Sequence, residues 1–317
     1  MSERAPFPFF VGCGRSGTTL VRAIFDAHPQ LAVPDESYFP LTFLSQHRRY
    51  EHAGAFDTDR FLADLSADGS FANWHLDLDA VAAALRATPP ANVPDAVRVV
   101  FATYAAAQHK LRYADKTPVF VRSMPRLAAA FPEARFVHLV RDGRNVALSR
   151  VAAAWSTERV DNEALIWRGV IAKGRHDGRR LGSERYREVR YEDLLGEPER
   201  VVRSLCSFLA LDFDPAMLRY YERSAQLVAD LPRPEEHGNL LAPPKTTRDW
   251  HDEMSPDDLA VFEAIAGRTL VQCGYERSPT PVPVRAHAYA MARRARWRVR
   301  RSTRDLKSAV ARRVRTS

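Results

Sequence analysis

Short apolar runs alternate with stretches of helical spacing along the chain, and this alternation predicts strands and helices in turn. Phe9, Phe10 and Val11 form an aromatic-rich run that leads into a glycine-containing turn, after which Leu20, Ile24 and Ala27 follow at helical spacing. Residues 136–140 form a second apolar, β-branched run that also precedes a helical pattern. The alternation predicts an α/β fold of three layers, with a central parallel sheet flanked by helices.

A second strand is predicted at 31–33 and a third at 111–114, and between them the spacing becomes helical for about seventy residues. Apolar residues recur three and four positions apart over 38–50, 59–65, 78–87 and 95–109. This predicts a helical insertion, which could wall an acceptor pocket. Aromatic residues in the insertion would either line that pocket or, as is more common, belong to the core. They are Phe39, Phe43, Phe61, Phe71 and Trp74.

The second half of the chain continues the alternation. Helices are predicted over 155–180 and 198–209, with a strand between them at 186–190, and Ser255-Pro256 begins the last helix of the domain. We predict one domain over residues 1–278, followed by a separate tail over 279–317.

Composition changes this picture only at the C-terminus. The chain has 317 residues, of which 45% are hydrophobic and 27% charged, as is usual for a soluble globular protein. Twelve lysines and arginines against one aspartate give residues 281–317 a charge of +11, which leaves −3 for residues 1–280 out of the total of +8. The basic character therefore belongs to the tail.

The tail is predicted to be helical, with a narrow apolar stripe among its arginines. The stripe consists of Ala292, Ala295, Val299, Leu306 and Ala309. Such a helix can lie on anionic lipid or bind nucleic acid, and it can equally be a solvated, partly disordered terminus. We expect peripheral contact with an anionic membrane through residues 281–317. We expect no specific binding of nucleic acid.

Cysteines and histidines are too few and too scattered for a disulfide framework or a metal site. The three cysteines are Cys13, Cys206 and Cys273, and no histidine lies at a metal-ligand spacing. The N-terminus does not look like a signal peptide, and no apolar run is long enough to span a bilayer. These observations predict a cytoplasmic protein without a metal, which can also lie peripherally at the inner membrane face.

The glycine-containing turn after the first strand has the features of an anion site. Gly12, Gly14 and Gly17 allow a tight turn, and the following helix adds the partial positive charge of its N-terminus. The G-x-x-x-x-G spacing is that of a nucleotide-triphosphatase P-loop, but Thr18 stands where that motif has lysine, and the cation is Arg15. This pattern favours a terminal group with less charge than a triphosphate. The alternative, a tight turn without a ligand, is much less favoured.

The segment Arg15-Ser16-Gly17-Thr18-Thr19 resembles the 5′-phosphosulfate loop of sulfotransferases that use 3′-phosphoadenosine 5′-phosphosulfate (PAPS), except that Gly14 replaces the more frequent proline. The resemblance is closest to the branch containing protein-tyrosine sulfotransferases, and it implies that Glu36, after the second predicted strand, is the general base. It also implies that Lys116, in an Asp-Lys-Thr-Pro element, contacts the transferred group. The alternative for Glu36 is a helix-capping or salt-bridging acid in a loop. The alternative for Lys116 is a surface ion pair.

A second anion element lies at the junction after the 136–140 run. Arg141 ends the strand, and Ser149 follows about two turns into a helix that Asp142 is predicted to cap, so both side chains can reach one anion. This arrangement resembles the family's 3′-phosphate element. The resemblance also implies that Tyr191 lies near the 3′-phosphate, unless it is a buried structural tyrosine, and that Lys245 covers the nucleotide.

These motifs predict a sulfotransferase that moves a sulfuryl group from PAPS to a hydroxyl of a small molecule, glycan or glycolipid, or less favourably of a protein tyrosine. Glu36 is the predicted base, with His28 and His138 as the nearest alternatives. Arg15 and Lys116 would stabilise the departing phosphate. The alternatives are a nucleotide-dependent kinase and a non-catalytic protein whose basic tail binds nucleic acid or membrane.

Overall fold

The computed structural model describes residues 4–52, 54–153, 159–229, 240–243 and 249–297. The chain divides into two compact units, residues 1–140 with 173–247 and residues 141–172 with 248–317. The boundary predicted between residues 278 and 279 stays a prediction.

The strands are short. They are β1 (Phe7–Gly12), β2 (Leu31–Ala32), β3 (Glu51–His52), β4 (Ala55–Phe56), β5 (Arg112–Tyr113), β6 (Ala134–Val140) and β7 (Tyr186–Arg190).

The helices of the first half are α1 (Thr18–Asp26), α2 (Phe39–Ser45), α3 (Thr58–Ser66), α4 (Gly69–Ala72), α5 (Leu78–Ala87), α6 (Val93–Ala107) and α7 (Met124–Ala130). The helices of the second half are α8 (Gly143–Val151), α9 (Val160–Leu181), α10 (Tyr191–Gly196), α11 (Pro198–Phe208), α12 (Ser224–Ala229), α13 (Trp250–Glu253), α14 (Pro256–Gln272) and α15 (residues 284–297). Turns of 3₁₀ helix cover His47–Arg49, Pro118–Arg122 and Pro215–Glu222.

The central sheet lies in the first unit and is parallel, as predicted. β6 pairs with β1 on one side and with β7 on the other, and β2 pairs with β5. A parallel bridge between Phe9 and Asp115 joins the β5 segment to β1, with Phe10 N–H donating to the Asp115 carbonyl at 2.8 Å. The strand order is therefore β2-β5-β1-β6-β7. Since the strands are parallel, their C-terminal ends meet at one edge, where ligands bind in folds of this class.

Helices cover the sheet, and its inner strands are mainly apolar. Every residue of β1 is buried, and all of β6 except Arg135 is buried as well. This agrees with the continuous apolar runs in the sequence, which are typical of parallel strands covered on both faces. The aromatic residues of the insertion are also core, because Phe39, Phe43, Phe61, Phe71 and Trp74 are all buried. Their assignment to an acceptor pocket is therefore wrong, and the alternative assignment to the core is confirmed.

Several predicted helix bounds were wrong where short elements interrupt the pattern. The helix predicted over 38–50 ends at Ser45 and is followed by a 3₁₀ turn and the antiparallel pair β3–β4. Each of those strands has two residues, which is too short for an alternating pattern to show. The helix predicted over 95–109 begins at Val93, because the Asn92 side chain caps it by accepting from Asp95 N–H at 2.9 Å. The helix predicted from residue 155 begins at Val160, and residues 154–158 lie outside the described residues.

Other predictions from the sequence are confirmed. Residues 78–87 are helical over the predicted range, and residues 186–190 form β7. The predicted helix over 198–209 is α11, which ends one residue earlier. Asp142 caps α8, and the Ser255 side chain caps α14 by accepting from Asp258 N–H at 3.2 Å.

In the second unit, the first part of the tail forms α15, and its buried face differs from the predicted one. Ala286 and Ala290 are buried, whereas Ala292 and Ala295 are exposed. The reason is a set of polar contacts that fix the helix rotation. Arg294 donates to the Ala264 carbonyl of α14 at 2.7 Å, and the Tyr289 hydroxyl donates to Asp161 of α9 at 2.6 Å. The remaining stripe residues, Val299, Leu306 and Ala309, lie outside the described residues.

The buried face of α15 gives a stability prediction. We expect Ala290→Leu to destabilise the protein by about 1 to 3 kcal/mol, because the added methylenes would overpack a site that leaves only 1% of Ala290 exposed. The matched control is Ala292→Leu, two positions away on the exposed face, which should change the free energy of unfolding by about 0.5 kcal/mol or less. Urea denaturation measures both. Equal effects of the two substitutions would contradict the observed rotation of α15.

Candidate functional site

The loop between β1 and α1 has a backbone conformation that few residue types adopt without strain. Gly17 has a φ of 95°, and Arg15 has a φ of 73° in the left-handed region that non-glycine residues rarely occupy. The turn is closed by a hydrogen bond from Ser16 N–H to the Cys13 carbonyl at 3.0 Å. Two left-handed residues within three positions give the loop the concave shape that the glycine spacing predicted.

The N-terminus of α1 is open at this loop. Gly17 is its N-cap residue and offers no side-chain hydrogen bond to the first turn, although the first N–H groups of a helix have no partner within the helix. No acidic side chain lies in that first turn either. Thr18 and Thr19 begin the helix. The combination of free first-turn N–H groups, helix dipole and threonine hydroxyls is suited to an anion.

Ser16 is the loop residue that points inward. Its side chain is fully buried, and its Oγ has no hydrogen-bond partner among the described residues. A Cβ added at Gly12 would lie 2.8 Å from that Oγ and 2.7 Å from the Leu139 carbonyl oxygen. Gly12 is therefore needed for close packing of the loop on β6. A buried hydroxyl without a partner is unusual, and an oxygen of a bound phosphosulfate would provide one. The loop residues therefore fit the group that the motif implies.

Tyr191, at the start of α10, packs on the loop. Its ring lies so close to Gly17 that any side chain at position 17 would overlap it. The ring is 5% exposed and belongs to the apolar core. The structure thus places Tyr191 beside the predicted 5′-phosphosulfate loop, and its predicted proximity to a 3′-phosphate stays a prediction.

Gly17 gives a second stability prediction. We expect Gly17→Ala to destabilise the protein by about 2 to 3 kcal/mol, because the left-handed backbone disfavours a Cβ and the Tyr191 ring occupies its space. Gly182→Ala is the matched control, since Gly182 has a similar φ of 80° but nothing within 4 Å of an added Cβ. It should cost only about 1 kcal/mol. Chemical denaturation of both variants separates the cost of the left-handed backbone from the cost of overlap with the Tyr191 ring. Equal losses of stability would mean that Tyr191 does not restrict the loop.

Glu36 and Lys116 meet at the C-terminal edge of the same sheet. Glu36 follows β2 and Lys116 follows β5, and Lys116 Nζ donates to Glu36 Oε1 at 3.0 Å. Lys116 is 2% exposed, whereas the Glu36 side chain is 32% exposed. The two residues predicted from separate motifs are thus brought together. The carboxylate is thus partly exposed, whereas its cation is buried.

A third group, Tyr38, completes the surroundings of Glu36. The Tyr38 hydroxyl donates to Glu36 Oε2 at 2.6 Å, so each carboxylate oxygen has one partner. Partial burial, together with the nearby Glu36 carboxylate, raises the pKa of Tyr38 above its usual range. Tyr38 therefore remains protonated at any physiological pH and acts as the donor in this contact.

Buried polar residues fix the positions of Glu36 and Lys116. Asp35 accepts from Arg22 Nη1 at 3.1 Å and lies 3.6 Å from Lys116 Nζ, so the lysine contacts two consecutive carboxylates. Asp115 accepts from the Ser37 hydroxyl and from the Thr117 hydroxyl. Complete burial raises the pKa of Asp115 to about 7. These contacts fix the backbones on both sides of Glu36 and Lys116.

The two histidines considered as alternative bases are structural. Both ring nitrogens of His28 are used, one with the Asp212 carbonyl at 2.8 Å and the other with Gln30 N–H at 3.1 Å. His138 lies in β6 and is fully buried, with its Nδ1 2.7 Å from the Tyr186 hydroxyl. Burial lowers the pKa of His138 to about 3. Because these contacts engage both imidazoles, Glu36 is the better candidate for the base.

The predicted second anion element lies in the second unit, at the turn from β6 into α8. Arg141 is 6% exposed, and its carbonyl accepts from Trp167 Nε1 at 3.2 Å. Gly143 packs on the Trp167 ring, where an added Cβ would lie 2.5 Å from ring atoms. Ser149 follows in α8 and is also largely buried. Arg141 and Ser149 thus lie on one turn and on the helix that follows it.

Arg144 anchors that turn. It donates to Asp142 through Nε at 3.0 Å and Nη2 at 2.7 Å, and to Glu263 of α14 through Nη1 at 3.0 Å. Its guanidinium also lies 3.6 Å from the centre of the Trp250 ring. Arg144 is 2% exposed, so this is a buried ion-pair network. Its partner Glu263 lies 119 residues away along the chain and carried no signal in the sequence.

Lys245 lies outside the described residues. Within the ranges that the structure describes, no group of three or more His, Cys, Asp or Glu side chains is arranged to hold a metal ion. Over the same part of the chain, no helix combines the length and the apolar content needed to cross a membrane. Sequence reasoning missed Tyr38, Asp35 and Arg22, although their position beside Glu36 and the loop was a usable signal.

The chain is similar to known proteins over most of its length. A model described as the sulfotransferase family matches residues 6–215. Protein-tyrosine sulfotransferase 2 of Gallus gallus is 26% identical over 229 residues, 70% of this chain and 55% of that protein. Protein-tyrosine sulfotransferase 1 of Danio rerio is 24% identical over 226 residues, 68% of this chain and 56% of that protein. The match therefore spans a little over half of the length of each of these relatives.

The fold also matches a solved structure. The sulfotransferase domain of the olefin synthase of Synechococcus PCC 7002 superposes with a TM-score of 0.58 and 23% identity, covering 88% of this chain and 98% of that domain. This likeness supports the three-layer α/β assignment.

Proposed function

The chain belongs to the sulfotransferase family, and on this premise we propose that it transfers a sulfuryl group from PAPS to the hydroxyl of an acceptor. The observation that carries the proposal is the contact between Glu36 and Lys116 at 3.0 Å, at the same sheet edge as the open phosphate loop. A base and a cation at one edge are what hydroxyl attack on an activated sulfate requires.

Each residue has a defined task in this reaction. Glu36 accepts the proton of the acceptor hydroxyl as that oxygen attacks sulfur. Lys116 and Arg15 stabilise the negative charge that grows on the phosphate oxygen as the bond from sulfur breaks. The first-turn N–H groups of α1, with Ser16, Thr18 and Thr19, hold the 5′-phosphosulfate. Arg22 and the buried Asp115 act through other residues and position Glu36 and Lys116.

We assign the 3′-phosphate to Arg141 and Ser149, and contacts with the nucleotide to Tyr191 and Lys245. The support for Arg141 and Ser149 is their placement on one well-anchored turn and helix, together with the match of the family model to this region. A bidentate arginine is the usual partner of a phosphate. Support for Lys245 comes from the sequence resemblance alone.

Calorimetry with two matched nucleotides tests this assignment. Arg141→Ala should weaken the binding of adenosine 3′,5′-bisphosphate by roughly 1.5 to 3 kcal/mol, the range for a hydrogen bond to a charged group. The same variant should bind adenosine 5′-monophosphate as the parent protein does, because that nucleotide lacks the 3′-phosphate. Arg15→Ala should weaken both nucleotides. Equal losses for both nucleotides in Arg141→Ala would contradict the assignment.

The alternative enzyme, a nucleotide-dependent kinase, is disfavoured by Thr18 at the position of the P-loop lysine and by the family match. A kinase would bind ATP with magnesium more tightly than the bisphosphate, and the same calorimetric titration distinguishes these ligands. A non-catalytic, basic-tail protein has no need for the contact between Glu36 and Lys116.

The acceptor is proposed as a hydroxyl compound, and the two relatives named protein-tyrosine sulfotransferases add phenols to the candidates. We further propose that the tail brings the enzyme to an anionic membrane surface and so to lipid-linked acceptors. Support comes from the exposed face of α15, on which apolar residues recur at helical spacing. They are Val284, Ala288, Met291 and Ala295. With a charge of +11 over 281–317, and about 1 kcal/mol for each basic residue near the surface, reversible attachment is expected.

Vesicle sedimentation tests the membrane proposal. The full-length protein should sediment with vesicles containing phosphatidylglycerol and not with vesicles of phosphatidylcholine alone. Met291→Glu, on the exposed face, should reduce this binding without changing the unfolding midpoint. Binding that is indifferent to lipid charge, or to Met291→Glu, would contradict the proposal. A cytoplasmic location of the enzyme also stays a prediction.

A further inference from the structure

The hydroxyl of Tyr38 occupies the position that an acceptor hydroxyl has to reach. An acceptor loses its proton to Glu36, so its oxygen must come within hydrogen-bond distance of that carboxylate. Lys116 holds Oε1, and the Tyr38 hydroxyl is 2.6 Å from Oε2 and donates its proton to it. A phenol is thus already placed against the proposed base, beside the proposed cation.

The backbone keeps Tyr38 in this place while its side chain stays accessible. Tyr38 N–H donates to Ser70 Oγ at 2.9 Å, and the Tyr38 carbonyl accepts from Thr42 Oγ1 at 3.2 Å. The residue is 46% exposed, so part of its ring lies at the surface. Its hydroxyl donates to Glu36. An exposed phenol with a fixed backbone is a suitable nucleophile for a bound donor.

We propose that Tyr38 is an internal acceptor, and that the enzyme sulfates its own Tyr38 when donor is bound and no external acceptor is present. The inference rests on the proposed function, because it uses the same donor and the same base. No family motif described above includes Tyr38.

The step is balanced with the groups already named. Tyr38 Oη forms the new bond to sulfur, and the bond between sulfur and the 5′-phosphate oxygen breaks. That oxygen keeps the electron pair, so adenosine 3′,5′-bisphosphate leaves, and Lys116 and Arg15 stabilise its charge. The proton of Oη passes to Glu36 Oε2, along the hydrogen bond that already exists. The products are a tyrosine O-sulfate and the bisphosphate.

Self-sulfation would limit the enzyme. A sulfated Tyr38 can no longer donate to Glu36, and it places a second anion beside the carboxylates of Glu36 and Asp35. An external acceptor would then meet repulsion and crowding at the base. Incubation with PAPS alone should therefore lower the activity measured afterwards, whereas an acceptor present from the start should protect it.

The chain provides a matched control in Tyr289. Its hydroxyl also donates to a carboxylate at 2.6 Å, that of Asp161, and Tyr289 is 39% exposed. Tyr289 belongs to the second unit, whereas the phosphate loop and Lys116 belong to the first. The two tyrosines thus share an exposed ring and a carboxylate partner. They differ in that the predicted donor loop belongs to the unit of Tyr38 and not to that of Tyr289.

The test is incubation of the full-length protein with sulfur-35-labelled PAPS in the absence of an acceptor, followed by digestion and mass spectrometry of the peptides. We expect label on Tyr38, approaching one group per chain, and none on Tyr289. Tyr38→Phe and Glu36→Gln should each lose this label, and Tyr289→Phe should keep it. Tyr38→Phe should also lose the decline in activity caused by preincubation with PAPS.

A parallel reaction with 2-naphthol as acceptor separates the two proposals. If 2-naphthol is sulfated in the parallel reaction while Tyr38 stays unlabelled in the reaction without an acceptor, self-sulfation is overturned and the proposed function stands. Label on other tyrosines to the same extent as on Tyr38 also overturns it. If neither Tyr38 nor 2-naphthol nor any acceptor in a metabolite extract is sulfated, the proposed function itself fails.

Discussion

Glu36→Gln should reduce turnover by roughly two to four orders of magnitude, the usual loss when a general base is removed. The amide keeps the size of the side chain and one acceptor oxygen, which retains one of the two contacts, with Lys116 or with Tyr38. It cannot accept the proton of the acceptor hydroxyl. Since the carboxylate lies apart from the phosphate loop in sequence and has no assigned contact with the nucleotide, donor affinity should be unchanged.

The measurement is steady-state kinetics with labelled PAPS, together with calorimetry of adenosine 3′,5′-bisphosphate. Glu222→Gln is the control, because it removes an exposed carboxylate of the same unit and should leave both quantities unchanged. Turnover of Glu36→Gln within a few-fold of the parent enzyme would show that another group takes the proton. A loss of donor binding instead of turnover would show that Glu36 serves the nucleotide.

Arg144→Met should destabilise the protein by about 3 to 5 kcal/mol, because it removes the cation of a buried ion-pair network and with it the attraction to Asp142 and Glu263. Asp142 loses both of its side-chain contacts with the guanidinium. Glu263 keeps Ser278 N–H at 2.7 Å and Arg277 at 3.3 Å, so the loss falls mainly on the turn that carries Arg141. Binding of the 3′-phosphate should weaken as well.

Urea denaturation followed by tryptophan fluorescence measures this loss, with Arg285→Met as the matched control. Arg285 pairs with Asp257 at 3.2 Å in the same unit, but the two side chains are 81% and 88% exposed. An exposed pair contributes about 1 kcal/mol at most, so this variant should unfold almost as the parent protein does. Similar midpoints for Arg144→Met and Arg285→Met would contradict the assignment of Arg144 as the anchor of the turn.

The chemistry of the site was predictable from the sequence where its residues are close neighbours along the chain. The loop from Gly12 to Thr19 carries its glycines, its cation and its hydroxyls within eight positions, and each has a local physical reason. The strands β1 and β6 were predictable because burial on both faces leaves an uninterrupted apolar run. Glu36 and Lys116 were predicted from the family resemblance, and the structure places Lys116 Nζ 3.0 Å from Glu36 Oε1.

The remaining features depend on contacts between distant parts of the chain, which no local pattern encodes. The Arg144 partner Glu263 is such a case, and so is the rotation of α15, which Asp161 and the Ala264 carbonyl determine. The β3–β4 pair was missed because two-residue strands show no period. Tyr191 was assigned to the nucleotide by its motif, and its packing on Gly17 could only be seen in three dimensions.

The most direct test of the account is transfer of sulfur-35 from labelled PAPS to a hydroxyl acceptor by the full-length protein, with 2-naphthol and a metabolite extract as acceptors and EDTA present. The account predicts a labelled sulfate ester and an equal amount of adenosine 3′,5′-bisphosphate, and it predicts that Glu36→Gln abolishes both. Transfer of the γ-phosphate of ATP in the presence of magnesium, with no sulfated product from PAPS, would contradict it.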